Sequence, residues 1–213
     1  MNQIEREFTK GIETILPEYT IKYQNDIIAE FTESSIKRTI YFEKGKSDSN
    51  ELSTSISVRI EHLELQSYVT NFNPRLKTKG TISYRIGFLG KMLNDDLLRF
   101  ERNIKTRKKI LPINSTNLNQ YLNNFKEIYN NSILNFLDRF MGYQGFIDWY
   151  EFVLNTEKEL WLATWRNSYN HICALKLNGG DYQMAIKKWS KHIESYDKEN
   201  FDTFIDEIMK DNY

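Results

Sequence analysis

The chain has 213 residues, 40% of them hydrophobic and 27% charged, with 13 Tyr, 13 Phe and 4 Trp. That balance excludes an aromatic-poor disordered chain, and the length lets a single domain bury roughly 70% of its unfolded surface. Lys plus Arg equals Asp plus Glu at 29 each, which removes the global positive field of a dedicated nucleic-acid binder.

Cys173 is the only cysteine, so an intrachain disulfide framework is excluded and a reducing compartment is expected. The start, Met1 to Glu7, lacks the apolar core of a signal peptide, and no stretch approaches 18 apolar residues. A cytoplasmic setting is therefore expected.

In chain order, Ile4, Phe8, Ile12 and Ile15 recur at helical spacing and Pro17 forbids continuation, which predicts an amphipathic helix over 2–15. The period then switches to two. Tyr19, Ile21 and Tyr23 alternate with polar neighbours, Asn25-Asp26 supplies a turn, and 27–31 is a second short apolar run. After Ser34-Ser35, Ile36, Arg38, Ile40 and Phe42 share one strand face, and the polar stretch 45–50 reads as a loop.

Leu52, Thr54, Ile56, Val58 and Ile60 then point one way, while Ser53, Ser55, Ser57, Arg59 and Glu61 point the other. Strict alternation predicts an antiparallel sheet covered on one face, because strands of parallel sheets are buried on both. Residues 64–80 carry no single period and end in the turn-like Asn71-Phe72-Asn73-Pro74, whereas Ile82, Tyr84, Ile86 and Phe88 suggest another strand.

Beyond about residue 90 the period returns to 3.6. Pro112 and Asn114 to Asn117 signal a helix start, and Leu118, Tyr121, Leu122, Phe125, Ile128, Tyr129, Ile133, Phe136, Leu137 and Phe140 continue a stripe of more than 20 residues. Gly142 and Gly145 are expected to break it. Further helices are expected over 146–154, 157–177, 181–196 and 200–209, with Gly179-Gly180 a stop and Asp181 an N-cap. Without a Pro-, Gly- or Ser-rich spacer, the chain reads as one α+β domain: an opening helix, four to five antiparallel strands in a sheet-rich 1–90, and a helical 112–213.

Two segments are strongly charged. Arg99, Arg102, Lys105, Arg107, Lys108 and Lys109 oppose only Glu101, a set that could grip phosphates but lacks the aromatic platforms of a nucleic-acid interface. At the other end, Glu194, Asp197, Glu199, Asp202, Asp206, Glu207 and Asp211 oppose Lys198 and Lys210. Asp197, Glu199, Asp202, Asp206 and Glu207 are candidate contacts to a basic protein, where carboxylates mimic phosphates.

The aromatic run from Tyr143 to Tyr169 falls at helical spacing and reads as core. His62, His171 and His192 form no metal-binding spacing, and His171 and Cys173 diverge by roughly 200° on a helix. No phosphate-cradling loop or nucleophile elbow is present, so no catalytic residue, metal or cofactor is assigned. Gly180 to Ile186 resembles the second-helix start of a tetratricopeptide unit, but no second copy follows at the 34-residue period.

The order of a helix over 2–15, a meander through Leu52 to Ile60 and a helical second half resembles small bacterial α+β families that include immunity proteins encoded beside toxins. That resemblance implies non-catalytic neutralisation by tight binding. The alternative expectation is a nucleic-acid-binding protein or enzyme using the basic segment 99–109.

Overall fold

The computed structural model describes residues 1–45, 50–72, 82–85, 112–155, 165–193 and 197–211, with backbone alone for Trp165 and Arg166. The fold is α+β. Helix α1 (Gln3–Ile15) opens the chain and is fixed by a capping box in which the Asn2 side chain accepts from the Glu5 N–H and the Glu5 carboxylate accepts from the Asn2 N–H. Strands β1 (Thr20–Tyr23), β2 (Ile27–Glu33), β3 (Ile36–Lys44) and β4 (Thr54–His62) follow, then α2 (Leu63–Phe72) and β5 (Ile82–Arg85). The sheet order is β1-β2-β3-β4-β5, a meander as expected, with five strands. A two-residue turn links β2 to β3, with Ser34 at φ 53.

Helix α3 (Leu118–Ile128) runs through a π-helical turn (Tyr129–Ile133) into α4 (Leu134–Asp138). Helices α5 (Tyr143–Asn155), α6 (Trp165–Leu177), α7 (Tyr182–Trp189) and α8 (Lys198–Lys210) complete the chain. Several boundaries differ from expectation. The ambiguous stretch after β4 is helical over Leu63–Phe72, and the helix capped by Asp181 stops at Trp189 rather than 196.

Gly142 lies outside the helices, but Gly145 does not break one. It sits within the first turn of α5, where an added Cβ would lie 1.7 Å from the Arg139 carbonyl oxygen. Only a residue without a side chain admits that approach. Gly179 (φ 70) ends α6 as anticipated: Gly180 N–H bonds the Leu175 carbonyl and Gly179 N–H that of Lys176, the paired bonds of a Schellman motif.

Contacts group the chain into two compact units: Met1–Ile60 with Ile82–Asp138, and Glu61–Thr81 with Arg139–Tyr213. These are not the sheet-rich and helical halves of the sequence, since α3 and α4 group with the sheet and α2 with the later helices.

In the first unit, Ile27, Ala29, Ile40, Phe42, Ile56, Val58, Ile60 and Ile82 are buried on one sheet face. Phe8 of α1 meets Phe42 edge-on at 5.4 Å, and Phe42 meets Phe125 of α3 at 5.2 Å, so the opening helix and the long helix cover that face. Arg38 belongs to the same face, and its nearly buried guanidinium pairs with Asp138 at 2.9 Å.

The opposite face is polar. Glu30 pairs with Lys22 and Lys37, Glu43 accepts from Ser55, Ser57 and Arg85, and the Arg59 guanidinium lies over the Tyr41 ring at 4.9 Å. In the second unit, α6 packs against α2, α5 and α7, and Tyr169 stacks on Phe204 of α8 at 4.0 Å.

Candidate functional site

Helix α8 forms because Phe201, Phe204 and Ile208 recur at helical spacing and bury one face. At about 100° per residue, Glu199, Asp202, Asp206 and Glu207 fall within an arc of about 140° on the other side, and all four are exposed. Asp197 occupies the N-cap position, half-buried and without a side-chain cap bond. Asp202 pairs with Lys198 one turn earlier at 3.1 Å, a surface contact worth little. Among the described residues no cation pairs with Glu199, Asp206 or Glu207.

Asp211 belongs to a different arrangement. Its carboxylate accepts from the Tyr68 hydroxyl and pairs with Lys176 at 3.3 Å, and these contacts, the tyrosine first, hold its carboxyl below the usual range. Lys176 Nζ also donates to the carbonyl oxygens of Ile208 (2.5 Å) and Asp211 (2.6 Å). One nearly buried lysine therefore satisfies the carbonyl end of α8, a negative dipole end that welcomes a cation. The clasp ties α8 to α2 and α6 and holds the acidic face on a fixed helix.

No protein-family model, curated protein or solved structure matches the chain.

The histidines do not converge. His171 on α6 is fully buried, and its Nδ1 accepts from the Trp189 indole N–H at 3.0 Å. That bond occupies the lone pair a general base would use and leaves the proton on Nε2, which faces Glu151 at 3.9 Å. Burial, assisted by Lys188, pushes the imidazole down to about 4. His62 stacks on Tyr143 at 4.3 Å, and its Nδ1 accepts from the Leu65 N–H at 3.4 Å, so it caps α2. His192 is exposed. Burial raises the Cys173 thiol well above its ordinary value, the opposite of what a nucleophile needs.

Among the described residues, no group of three His, Cys, Asp or Glu side chains is arranged to hold a metal, and no helix is long and apolar enough to cross a membrane.

Phe146, Trp149, Tyr150 and Tyr169 are buried, as the spacing predicted, while Phe152 is 39% exposed. Trp161, the side chain of Trp165, and the basic set Arg99, Arg102, Lys105, Arg107, Lys108 and Lys109 lie outside the described residues. Sequence reading placed the acidic helix but missed the clasp beneath it, because Tyr68, Lys176 and Asp211 are far apart in the chain and share no motif.

Proposed function

We propose that the chain is a non-catalytic, cytoplasmic protein-binding module whose α8 face docks a basic partner, as an immunity protein docks a nuclease toxin. One observation carries the reading: Glu199, Asp206 and Glu207 are exposed on one face of a helix, with no cation at ion-pair distance among the described residues. Unpaired carboxylates at fixed spacing act mainly on the encounter, raising the association rate with a basic surface and making it sensitive to salt. The His171 Nδ1 lone pair, taken up by the Trp189 indole N–H, and the raised Cys173 thiol fit a chain that binds rather than reacts.

The test is capture from the native host, comparing the wild type with D202K/D206K/E207K. An equal charge change at the exposed carboxylates of the other unit, E13K/E33K/E127K, serves as the control. Retention of a basic protein by wild type and control, with loss from the α8 variant, is the expected result. Equal retention by all three removes α8 from the interface.

A further inference from the structure

On the polar sheet face two buried donors find no hydrogen-bond partner among the described residues. Thr39 at the centre of β3 is fully buried, and its hydroxyl has no hydrogen-bond partner; the Nε of Arg59 on β4 is likewise buried and unbonded. These atoms belong to one row of the sheet. Glu30 of β2 is directly opposite Thr39, and Arg59 is directly opposite Ser83 of β5. Between β3 and β4 the Gly45 N–H bonds the Ser53 carbonyl, and Glu43 reaches Ser55 and Ser57. Carrying that antiparallel register inward sets Thr39 opposite Arg59, a cross-strand separation of about 5 Å between Cβ atoms.

Two of the neighbouring carboxylates are already engaged elsewhere. The two Glu30 oxygens take Lys22 and Lys37, and Glu43 takes Arg85 and the two serines. No carboxylate among the described residues pairs with Arg59, whose guanidinium is instead laid flat on Tyr41. An adjacent buried hydroxyl and cationic N–H without an acceptor carry a desolvation cost that either an acceptor or their removal would relieve. The acceptor that matches a guanidinium edge and a hydroxyl side by side is an oxyanion, held by charge-assisted bonds.

We propose that Thr39 and Arg59 form an anion site on the polar face of the sheet, taking a phosphate or carboxylate group at the edge of the guanidinium that Tyr41 supports. The site is independent of the α8 face and of the partner proposed for it. Arg59 is only part-buried, as is Lys37 in the neighbouring row, so the ligand enters between two long side chains.

The experiment titrates the full chain with inorganic phosphate and, separately, with acetate, each against sodium chloride at matched ionic strength. It follows the Arg59 Nε–H resonance and the thermal midpoint. A saturable shift of that resonance with a rising midpoint is expected in the wild type, with binding weakened at least about tenfold in R59K and T39V. R59K keeps the charge and loses the buried Nε–H, while T39V keeps the shape and loses the hydroxyl.

Response to phosphate alone assigns a phosphate ligand, response to acetate alone a carboxylate, and response to both a general oxyanion site. A midpoint that rises equally in wild type and both variants reflects only solute exclusion and overturns the proposal, as does an Arg59 resonance that moves with neither anion.

Discussion

His171 gives the sharpest test of the packing in the helical unit, because burial makes its ionisation a direct reporter of folding. Its ordinary value of 6.5 falls to about 4 in the fold, through burial first and Lys188 second. Of the charged groups around it, Glu151 on α5 is 3.9 Å from Nε2, and Lys188 on α7 is 3.8 Å from the same carboxylate. Helix α2 carries only Glu64 and Tyr68 as titratable groups, engaged by Tyr143 and Asp211 respectively.

The unfolded chain takes up a proton near pH 6.5, whereas the folded chain resists until about pH 4. Stability from this group is therefore complete above 6.5 and is lost as pH falls through that window. A difference of about 2.5 units at 1.36 kcal/mol each corresponds to about 3 kcal/mol. Urea midpoints followed by tryptophan fluorescence between pH 7.5 and 4.5, for the wild type and H171L, measure it. The variant loses about 1–3 kcal/mol at pH 7 because the Trp189 indole N–H is left unpaired, yet its stability should fall less steeply on acidification. His62, also lowered by burial, contributes equally to both proteins. Identical slopes for the two would refute the buried, proton-excluding environment assigned to His171.

Other packing claims are equally open to measurement. Helix propensity alone makes G145A stabilising by about 0.5–1 kcal/mol, whereas the clash with the Arg139 carbonyl should reverse the sign; a raised urea midpoint would show that the turn before α5 yields. K176M removes the cation from the carbonyl end of α8 and should cost about 1–3 kcal/mol, with faster amide exchange in the last turn of α8. Exchange no faster than in the exposed-site control K210M would mean the clasp is ornamental. F8A vacates a site that is 0% exposed between the sheet and the long helix and should cost about 3–5 kcal/mol in chemical denaturation.

The sheet was legible because one face of β3 and β4 is mainly apolar, with Arg38 and Thr54 as exceptions, and the other is polar, a rhythm that needs no tertiary knowledge. The passage from β4 to α2 was not legible. It occurs between His62 and Leu63 without Gly, Pro or a conventional capping residue, and the cap is an imidazole nitrogen. Leu65, Val69 and Phe72 do fall at helical spacing, but over so few residues that a second period competes.

The start of α1 carried a signal that could have been read: Asn2 followed three residues later by Glu5 is the side-chain pair that closes the capping box. The π-helical turn had one too. Tyr121, Phe125, Tyr129, Ile133 and Leu137 are all buried and all four apart. Each step of four overshoots a helical turn by about 40°, so a regular helix would rotate them by about 160° from first to last. The wider turn at Tyr129–Ile133 takes up part of that rotation and keeps the stripe against the sheet.

The candidate face on α8 was legible in composition, and the structure adds where its carboxylates sit along the helix. Acidic residues early in a helix are expected for helix stability, since the amino end is the positive end of the dipole. Glu207 lies in the last turn and Asp206 just before it, where carboxylates oppose the dipole by a few tenths of a kcal/mol each. The chain meets that end with a nearly buried lysine on another helix as well as with the exposed Lys210 of α8 itself. The outer face then carries Glu199, Asp202, Asp206 and Glu207 against Lys198 and Lys210 and stays net acidic. Helix stability alone does not account for Asp206 and Glu207 at that end, and those two carboxylates are what the proposed docking face rests on.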